Sequence, residues 1–409
     1  MKLCLIGERV SQSYSKEIHN IMGLDYSLVS LKKEELENFV TSDNYNGFNV
    51  TMPYKKDVIK YLHYVDPYAL EIGAVNVVNV SGGKRYGYNT DFMGMEYMIK
   101  RKGVSVDGKN VLVLGSGGAS NCAVALMKKL NAGSVTVVGR TSKTNYQNCY
   151  ELKNTQIIIN TTPVGMVPDL LGSPIDLSKF PSLEAFFDAV YNPQRTTLVK
   201  QAIKLNLKCS GGVPMLVEQA LCGEDIWLNS SHTSEDSEKM ILEIVKRKLN
   251  IALTGMPGSG KTTVGKALAT ALNREFYDVD LVIEEKTGRT PSQIILEDGE
   301  DRFREIESEV VFELSKKSSA VIALGGGSLI REVNREYLSR NSVTVYLKRD
   351  LESLITDNRP LSKSVGVKAL YEQRKPIYES ADITVENVTV DKAVKEIIDK
   401  YEIACSKWS

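Results

Sequence analysis

The sequence predicts an α/β protein with parallel sheets, and it predicts more than one such unit in the chain. Two apolar runs of strand length, at 109–114 and 250–254, each lead into a glycine-rich loop and then into a helical pattern. A strand, a glycine loop and a helix in that order are typical of units with parallel strands. At 409 residues the chain is also too long for one ordinary hydrophobic core. We therefore expect two or three domains.

Composition and charge narrow the classes of function. Lys plus Arg and Asp plus Glu each number 51, so we expect neither nucleic acid nor a membrane surface as a partner. The six cysteines lie far apart without a C-x-x-C pair, which is typical of reduced thiols in a cytoplasmic protein. The first strand pattern begins at Lys2, so we expect no signal peptide, and no apolar run approaches a membrane span. With only three histidines, Lys, Asp, Glu or water must serve as acids and bases.

The most specific motif is Gly255–Thr262, which reads GMPGSGKT and matches G-x-x-x-x-G-K-[ST] at every fixed position. The strand pattern 250–254 and the helical pattern Thr263–Leu272 give it the context of a phosphate-binding P-loop. Lys261 would reach the β- and γ-phosphates of a nucleotide, and the Thr262 hydroxyl would hold Mg²⁺. The alternative is an ordinary glycine turn before a helix. The context favours a nucleotide-binding unit that begins near residue 249.

A second glycine loop, Gly115–Ser120, reads GSGGAS and lies between the strand pattern Lys109–Leu114 and the helical pattern Asn121–Leu130. The strand pattern Ser134–Val138 completes a βαβ unit, which is the context of a Rossmann phosphate turn. That strand ends in Gly139–Lys143, where basic and hydroxyl side chains and no acid favour NADP over NAD. Further elements expected of this sheet are strands at 156–160 and 185–190 and a helix at 197–205.

Polar loops precede this unit. Ser13 and Ser15 come before a helix pattern, and on their own the two hydroxyls are explained by helix N-capping. Lys55 follows a strand that we predict to end at Pro53, and it lies at a predicted helix start, where the helix dipole disfavours a cation. A functional lysine and a solvated surface lysine both fit that pattern. Two more polar loops are found at 73–76 and 89–91.

With these residues in view, Met1–Lys248 resembles shikimate dehydrogenase along nearly its whole length. The matching pieces, in order, are Ser13-x-Ser15, Asn49-Val-Thr-x-Pro-x-Lys55, Gly73-Ala-Val-Asn76, Asn89-Thr-Asp91, Gly115–Ser120, Asn160-x-Thr-Pro-x-Gly-Met166, Asp188-x-x-Tyr191-x-Pro and Gly212-x-x-Met215-Leu-x-x-Gln219. Gln12, Lys16 and Gly139 differ from the family's usual His, Pro and Asn.

The resemblance implies an acid–base pair, Lys55 and Asp91, at the keto group, with hydride transfer by the nicotinamide. It implies that the substrate is bound by Ser13, Ser15, Thr51, Lys55, Asn76, Asp91, Tyr191 and Gln219. It implies that NADP is bound by Gly115, Ser116, Gly117, Gly118, Ala119, Arg140, Thr141, Lys143, Ala189 and Gly212.

Leu249–Lys400 resembles shikimate kinase. Beyond the P-loop, the matching pieces are Phe276-Tyr-Asp278-x-Asp280, Phe303-Arg304-x-x-Glu307, Gly325-Gly-Gly327, Arg359-Pro-Leu361 and Arg374-x-Pro-x-Tyr378. Two of these pieces also fit a purely structural role: the Asp278-x-Asp280 pair could cap a helix, and Arg304 with Glu307 could form a surface pair. The segment around Arg359 is several residues shorter than in the family and lacks the arginine usually found ahead of it.

This second resemblance implies that Arg304 and Arg374 bind the substrate carboxylate, because guanidinium forks match that group. Asp280 and Gly326 complete the substrate site, and Lys261 and Arg359 act at the transferred phosphoryl group. The implied ATP-binding residues are Gly258, Ser259, Gly260, Lys261, Thr262, Thr263 and Arg359. Mg²⁺ is assigned to Thr262, with Asp278 beside it, directly or through a water.

Together the two resemblances imply three α/β domains: a substrate domain of 1–91 and 220–248, a Rossmann NADP domain of 92–219, and a P-loop domain of 249–409. The last is expected to have the parallel sheet of nucleoside-monophosphate kinases. The implied function is a bifunctional cytoplasmic enzyme that reduces 3-dehydroshikimate with NADPH and phosphorylates shikimate with MgATP; no oligomeric state is predicted.

Two alternatives stay open at this point. One is a quinate-type polyol dehydrogenase fused to another small-molecule kinase, such as a gluconate type. The other is a degenerate dehydrogenase half that senses shikimate, although the retention of both Lys55 and Asp91 argues against a sensor.

Overall fold

The computed structural model describes residues 1–11, 13–354 and 366–408. The chain forms two compact units, the first made of Met1–Asn192 and Thr196–Ile244, the second of Pro193–Arg195 and Val245–Ser409. All six cysteines are free thiols, as predicted. Among the described residues, no helix combines the length and the apolar composition that a membrane crossing requires.

The first unit opens with a six-stranded mixed sheet. Its strands are β1 (Lys2–Gly7), β2 (Asp25–Ser30), β3 (Gly47–Val50), β4 (Tyr64–Val65), β5 (Val77–Ser81) and β6 (Lys84–Tyr88), and its helices are α1 (Ser15–Ile21), α2 (Leu36–Thr41) and α3 (Pro67–Ile72). The spatial order is β2-β1-β3-β5-β6-β4, with β1 parallel to β2 and β3, and β5 antiparallel to β3 and β6. Cys4, Ile6, Phe48 and Val50 form part of the core beneath this sheet.

The second sheet of this unit is parallel, as the apolar strand patterns predicted. Its strands are β7 (Asn110–Leu114), β8 (Ser134–Val138), β9 (Ile157–Asn160), β10 (Ala185–Asp188) and β11 (Lys208–Ser210), in the order β11-β10-β9-β7-β8. The accompanying helices are α4 (Asp91–Arg101), α5 (Gly118–Lys129), α6 (Thr197–Lys204), α7 (Val213–Leu228) and α8 (Ser234–Lys248). Parallel strands are buried on both faces, which is why they read as continuous apolar runs.

Helices α4 and α7 pack closely against each other. A Cβ atom at Gly94 would lie 2.5 Å from the carbonyl oxygen of Met215 and 3.2 Å from the Cβ of Gln219. Only glycine allows the two backbones to approach this closely. The contact places the N-terminus of α4, which starts at Asp91, next to Gln219 on α7.

The second unit contains one parallel five-stranded sheet. Its strands are β12 (Asn250–Thr254), β13 (Glu275–Asp278), β14 (Ala320–Ala323), β15 (Ser342–Lys348) and β16 (Ile383–Glu386), in the order β13-β14-β12-β15-β16. Its helices are α9 (Lys261–Leu272), α10 (Val279–Thr287), α11 (Pro291–Asp298), α12 (Glu300–Ser315), α13 (Glu332–Leu338), α14 (Val367–Glu379) and α15 (Val390–Cys405). The central strand β12 is buried throughout and leads directly into the P-loop.

Several element boundaries differ from the predictions. Helix α5 begins at Gly118 instead of Asn121, and α9 begins at Lys261 instead of Thr263, so both glycine loops run directly into a helix. Strand β10 ends at Asp188, two residues before the predicted end. The compact units divide inside α8, between Ile244 and Val245, whereas we predicted a boundary at 248/249. The three-domain division of the chain remains our proposal.

Candidate active sites

The first candidate site is organised around an ion pair between Lys55 and Asp91. Lys55 Nζ donates to Asp91 Oδ2 at 2.5 Å, and the two side chains are 24% and 13% exposed. The prediction of a helix start at Lys55 is wrong, because β3 ends at Val50 and Lys55 lies in a turn before a short 3-10 helix, Asp57–Tyr61. The alternative of a solvated surface lysine is also wrong, since this lysine is paired and half-buried.

The Asn76 amide fixes the Asp91 carboxylate from the other side. Asn76 Nδ2 donates to Asp91 Oδ1 at 2.9 Å, and Asn76 Oδ1 accepts from the Thr90 N–H at 2.7 Å. Asn76 Nδ2 also lies 3.4 Å from Gln219 Oε1, and the Thr90 hydroxyl donates to the Gln219 carbonyl. Four predicted site residues, Lys55, Asn76, Asp91 and Gln219, therefore lie in one hydrogen-bonded group.

A hydroxyl cluster forms a second part of this site. Ser13 Oγ donates to Ser15 Oγ at 3.0 Å and accepts from the Ser15 N–H at 3.2 Å. Burial raises the pKa of Tyr191, while a hydrogen bond with Ser13 opposes that rise, so the phenol belongs to the cluster. Helix α1 has Tyr14 at its N-cap and no side-chain cap, so N-capping does not explain the serines. Gln12 lies outside the described residues.

Cys122 lies near the Lys55–Asp91 pair, and Thr51 lies just after β3. Thr51 follows β3 directly, and its N–H donates to the Ile6 carbonyl at 2.9 Å. Burial raises the pKa of the Cys122 thiol, and the nearby Asp91 carboxylate raises it further. Cys122 therefore places α5, the helix that follows the first glycine loop, next to the Lys55–Asp91 pair. The sequence gave no indication of this proximity, because a cysteine among the apolar residues of a helix is typical of an ordinary core position.

The first glycine loop has the geometry of an anion cradle. Gly117 is the N-cap of α5 and has no side chain that could cap that helix. Cβ atoms at Gly117 or Gly118 would meet no atom of the described residues within 4 Å, so the backbone N–H groups there are open to a ligand. Uncapped N–H groups at a helix N-terminus attract phosphate oxygens. This part of the structure fits the pyrophosphate of a dinucleotide, together with the neighbouring residues Ser116 and Ala119.

The loop after β8 lies beside that cradle. A Cβ atom at Gly139 would lie 3.8 Å from the Cβ of Ser116, and the next residues, Arg140, Thr141 and Lys143, are exposed. Exposed cations next to a phosphate cradle fit a 2′-phosphate. On the other side, a Cβ atom at Gly212 would lie 2.5 Å from the carbonyl oxygen of Ala189, which brings those two predicted residues together.

The P-loop is built as the sequence predicted. Lys261 starts α9 and is 8% exposed, and its Nζ donates to the carbonyl oxygens of Gly255 and Met256 at 2.9 and 3.0 Å. Gly260, the N-cap residue of α9, has φ +91°, a conformation that favours glycine, and it has no side chain that could cap the helix. Ser259 Oγ is buried without a hydrogen-bond partner among the described residues. Uncapped N–H groups and an orphaned hydroxyl fit a phosphate chain, with Gly258 and Thr263 flanking them.

An oxygen-donor pair lies at the end of β13. Thr262 Oγ1 donates to Asp278 Oδ2 at 2.6 Å. The other oxygen, Asp278 Oδ1, accepts from the Asp280 N–H at 3.1 Å and caps α10, so the capping interpretation of Asp278 is correct. One carboxylate can serve both purposes, since each uses a different oxygen. Hydroxyl and carboxylate oxygens are ligands that Mg²⁺ prefers, so the pair fits that ion.

Arg304 is the first of two buried arginines near the glycine turn 325–327. Its Nη1 donates to Glu307 Oε2 at 2.8 Å, and both side chains are less than a tenth exposed, so the expectation of a surface pair is wrong. Glu307 Oε1 accepts from Ser328 Oγ at 2.5 Å. A Cβ atom at Gly325 would lie 2.6 Å from Glu307 Oε1 and 3.3 Å from Asp280 Oδ1. The glycine turn is therefore in contact with both acidic residues.

Arg374 supplies a second buried guanidinium. It is 5% exposed, and its Nε has no hydrogen-bond partner among the described residues. Burial raises the pKa of Tyr378, and the positive charges of Arg374 and, more weakly, Arg304 oppose that rise. Tyr378 in turn donates to the Gly326 carbonyl. Two guanidinium groups around one glycine turn, one with an unused N–H, form a site for an anionic ligand.

Two residues near the P-loop were missed in the sequence, and one predicted residue cannot be placed. A Cβ atom at Gly260 would lie 2.6 Å from Asn387 Nδ2 and 3.9 Å from Arg349 Nη1. Each of the two residues directly follows a parallel strand, and the carboxyl ends of parallel strands are where such sheets carry their binding sites. Their place after a strand was therefore a signal in the sequence that they belong to the site. Arg359 lies outside the described residues.

Comparison with known families gives a match in each half of the chain. The family model for the shikimate dehydrogenase substrate-binding domain matches residues 5–78, and the model for shikimate kinase matches residues 257–402. The shikimate dehydrogenase (NADP(+)) of Clostridium beijerinckii is 34% identical over 54% of this chain and 90% of its own. The chain belongs to the shikimate dehydrogenase family. It also carries a shikimate kinase domain.

Solved structures extend the match to the fold of the dehydrogenase part. Shikimate dehydrogenase 1 from Peptoclostridium difficile is 30% identical, with a TM-score of 0.56, over 60% of this chain and 98% of its own. A chorismate mutase/shikimate 5-dehydrogenase fusion from Clostridium acetobutylicum is 32% identical, with a TM-score of 0.57, over 59% of this chain and 96% of its own. Shikimate 5-dehydrogenase from Thermus thermophilus, solved with NADP(H) and shikimate, is 27% identical, with a TM-score of 0.54, over 59% of this chain and 99% of its own.

Proposed function

We propose that this chain is a bifunctional cytoplasmic enzyme. Its dehydrogenase part reduces 3-dehydroshikimate to shikimate with NADPH, and its kinase part phosphorylates shikimate to shikimate 3-phosphate with MgATP. The observation that carries the proposal is the presence of two site constellations in one chain. One is the half-buried Lys55–Asp91 pair, and the other is the P-loop with two buried arginines, Arg304 and Arg374.

In the reduction, bound NADPH supplies the hydride, and the chain's own residues handle the proton. The Lys55 ammonium is a proton donor that can neutralise the oxygen as its negative charge develops. Asp91 holds that ammonium in place, and Asn76 fixes the carboxylate in turn. The Ser13, Ser15 and Tyr191 hydroxyls form a cluster of donors suited to the substrate carboxylate.

In the phosphorylation, Arg304 and Arg374 bind the carboxylate of shikimate, and Asp280 accepts hydrogen bonds from its hydroxyls. Glu307 keeps Arg304 oriented, since it pairs with one guanidinium nitrogen and with Ser328. Lys261 places a positive charge inside the P-loop, and bound Mg²⁺ at Thr262 and Asp278 supplies charge neutralisation for the phosphates. Arg359 is assigned a catalytic role on the sequence motif alone.

The two reactions form a coherent sequence. In the family chemistry, the hydroxyl made from the keto group is the one that the kinase phosphorylates, so the product of the first site is the substrate of the second. A fusion of these two activities would bring consecutive steps onto one chain.

A substrate panel tests the proposal. Initial rates are measured for NADP⁺ reduction with shikimate and with quinate, and for ATP consumption with shikimate and with gluconate. We expect shikimate to give the highest kcat/KM in both assays. Higher values with quinate or gluconate would contradict the substrate assignment of the corresponding part, and no turnover of any compound by the dehydrogenase part would favour the sensor alternative.

A further inference from the structure

A cluster of metal-ligating side chains lies in the first unit among residues that neither proposed reaction uses. Glu218 and Cys222 lie one turn apart on α7, and His232 lies in the connection between α7 and α8. One ligand atom from each residue, a carboxylate oxygen, the Sγ atom and an imidazole nitrogen, lies within 4.8 Å of the other two. All three residues are half-buried, so the atoms are partly shielded from water but can be reached.

The fold brings His232 back over α7 by a defined turn. Helix α7 ends at Leu228, and the chain reverses at its C-cap residue Asn229, which has φ +51°. The Ser230 N–H then donates to the Asp225 carbonyl at 3.1 Å, and the His232 N–H donates to Asp225 Oδ2 at 3.2 Å. Asp225 therefore anchors the returning chain and positions the imidazole above the helix face that carries Cys222.

Partners outside the cluster orient two of the three ligands. Asp225 Oδ2 lies 2.7 Å from His232 Nδ1, which leaves Nε2 facing Glu218 Oε1 at 3.2 Å. Ser237 Oγ donates to Glu218 Oε2 at 2.6 Å, which leaves the other carboxylate oxygen for the cluster. A histidine whose second nitrogen is held by a carboxylate is the usual arrangement around protein-bound zinc.

We propose that Glu218, Cys222 and His232 bind a divalent transition-metal ion of the Zn²⁺ class, with Asp225 as the residue that orients His232. The ligand set selects this class, because Zn²⁺ accepts nitrogen, sulfur and oxygen ligands together, whereas Mg²⁺ and Ca²⁺ prefer oxygen alone. Three protein ligands leave a fourth tetrahedral position for water. Binding releases the thiol proton of Cys222, and the proton on the imidazole Nε2 where it is present, to solvent.

The site would connect the end of α7 to the start of α8. Gln219, which neighbours Glu218 on α7, contacts the Asn76–Asp91 group of the first site through Asn76. A metal that fixes this end of α7 would therefore stabilise the first unit next to its substrate residues.

Co²⁺ is the probe that tests the site. It is titrated into the chelator-treated, tag-free full-length chain under reducing conditions, and the near-ultraviolet sulfur-to-cobalt charge-transfer band is recorded. We expect a saturable band of one equivalent that Zn²⁺ abolishes by competition. Cys222→Ser should remove the band, while Cys209→Ser should keep it, since Cys222 and Cys209 are the two cysteines that are not buried. Co²⁺ bound at Thr262 and Asp278 gives no such band, because those ligands are oxygens.

Asp225→Asn tests the positioning role, and we expect it to weaken Co²⁺ binding about 10–100-fold while the band remains at saturation.

A measurement on the wild-type chain covers the case in which the Cys222 variant does not fold: Zn²⁺ should slow alkylation of Cys222, identified by mass spectrometry, and leave Cys209 unaffected. No charge-transfer band in the wild type, an unchanged band in Cys222→Ser, or equal alkylation of Cys222 with and without Zn²⁺ would each overturn the proposal.

Discussion

At the scale of single residues, both proposed active sites depend on charges that are partly removed from water and held by partners. Lys55 is paired with Asp91, and Arg304 is paired with Glu307. Removing one member of such a pair leaves the other uncompensated, which costs more than the pair itself contributes. Substitutions in these pairs therefore need a folding control, whereas exposed site residues can be tested directly.

Arg140 is such an exposed residue, and it tests the choice of dinucleotide. Arg140→Ala should raise the KM for NADPH roughly tenfold or more, because a charged contact to the 2′-phosphate is lost. The KM for NADH should hardly change. Steady-state kinetics with both dinucleotides give the comparison, and Lys128→Ala, an exposed cation on α5, is the matched control. Equal losses for both dinucleotides would mean that Arg140 supports the loop instead of reading the phosphate.

Asp188 gives a prediction about pH. Burial raises the pKa of Asp188 to about 6, from an ordinary value of 3.8, although Thr196, Val190 and Asn160 donate hydrogen bonds to it. The folded state thus favours the protonated acid, whose stabilising contribution is complete below pH 3.8 and is lost as the pH rises through about 6. Relative to Asp188→Asn, the wild-type free energy of unfolding should fall by up to about 3 kcal/mol across that range.

The measurement is urea unfolding of both proteins at a series of pH values, in a Trp408→Phe background. The chain has two tryptophans, so this change leaves Trp227 as the reporter of the first unit. A difference that stays constant with pH, or that grows as the pH rises, would contradict the raised pKa.

At the scale of elements, the packing of α4 against α7 determines where Asp91 and Gln219 meet. Gly94→Ala should destabilise the first unit by about 1–3 kcal/mol, because the new methyl group would overlap the Met215 carbonyl oxygen. Urea unfolding in the Trp408→Phe background, followed by Trp227 fluorescence, measures the change. Met93→Ala is the control, since Met93 is exposed on the same helix. Equal stabilities of wild type and Gly94→Ala would show that the two helices have room to separate.

The elements that the sequence predicted well are those whose signal is local. Strand β12 and its loop could be predicted because an apolar run, a fixed glycine spacing and a helical pattern are all adjacent in the chain. Helix starts were predicted two or three residues late at Lys261 and Gly118, because the first residues of each helix also belong to the glycine-loop motif.

Contacts between distant segments could not be predicted from pattern alone. The buried pair of His19 and Glu224, 2.5 Å apart, joins α1 to α7, although the two residues are 205 positions apart in the sequence. Cys122 lies near Asp91 because their helices, α5 and α4, pack together, and the spacing of the two residues in the sequence does not indicate this proximity. The roles of Lys55 and Asp91 came from a family resemblance, while their contact is a property of the tertiary structure.

At the scale of the whole molecule, the residues of each proposed site lie within one compact unit. The dehydrogenase residues, from Ser13 to Gln219, belong to the first unit, and the described kinase residues, from Gly258 to Arg374, belong to the second. Neither constellation takes a residue from the other. We therefore expect the two reactions to be separable by single substitutions.

The most direct test of the bifunctional account is a product analysis with 3-dehydroshikimate, NADPH and MgATP supplied together. Wild type should form shikimate 3-phosphate. Lys261→Ala should stop at shikimate. Lys55→Ala should consume no NADPH yet phosphorylate added shikimate at the wild-type rate, whereas the exposed control Lys56→Ala should retain both reactions. The account is contradicted if wild type forms no shikimate 3-phosphate, or if Lys55→Ala remains folded and loses the kinase reaction.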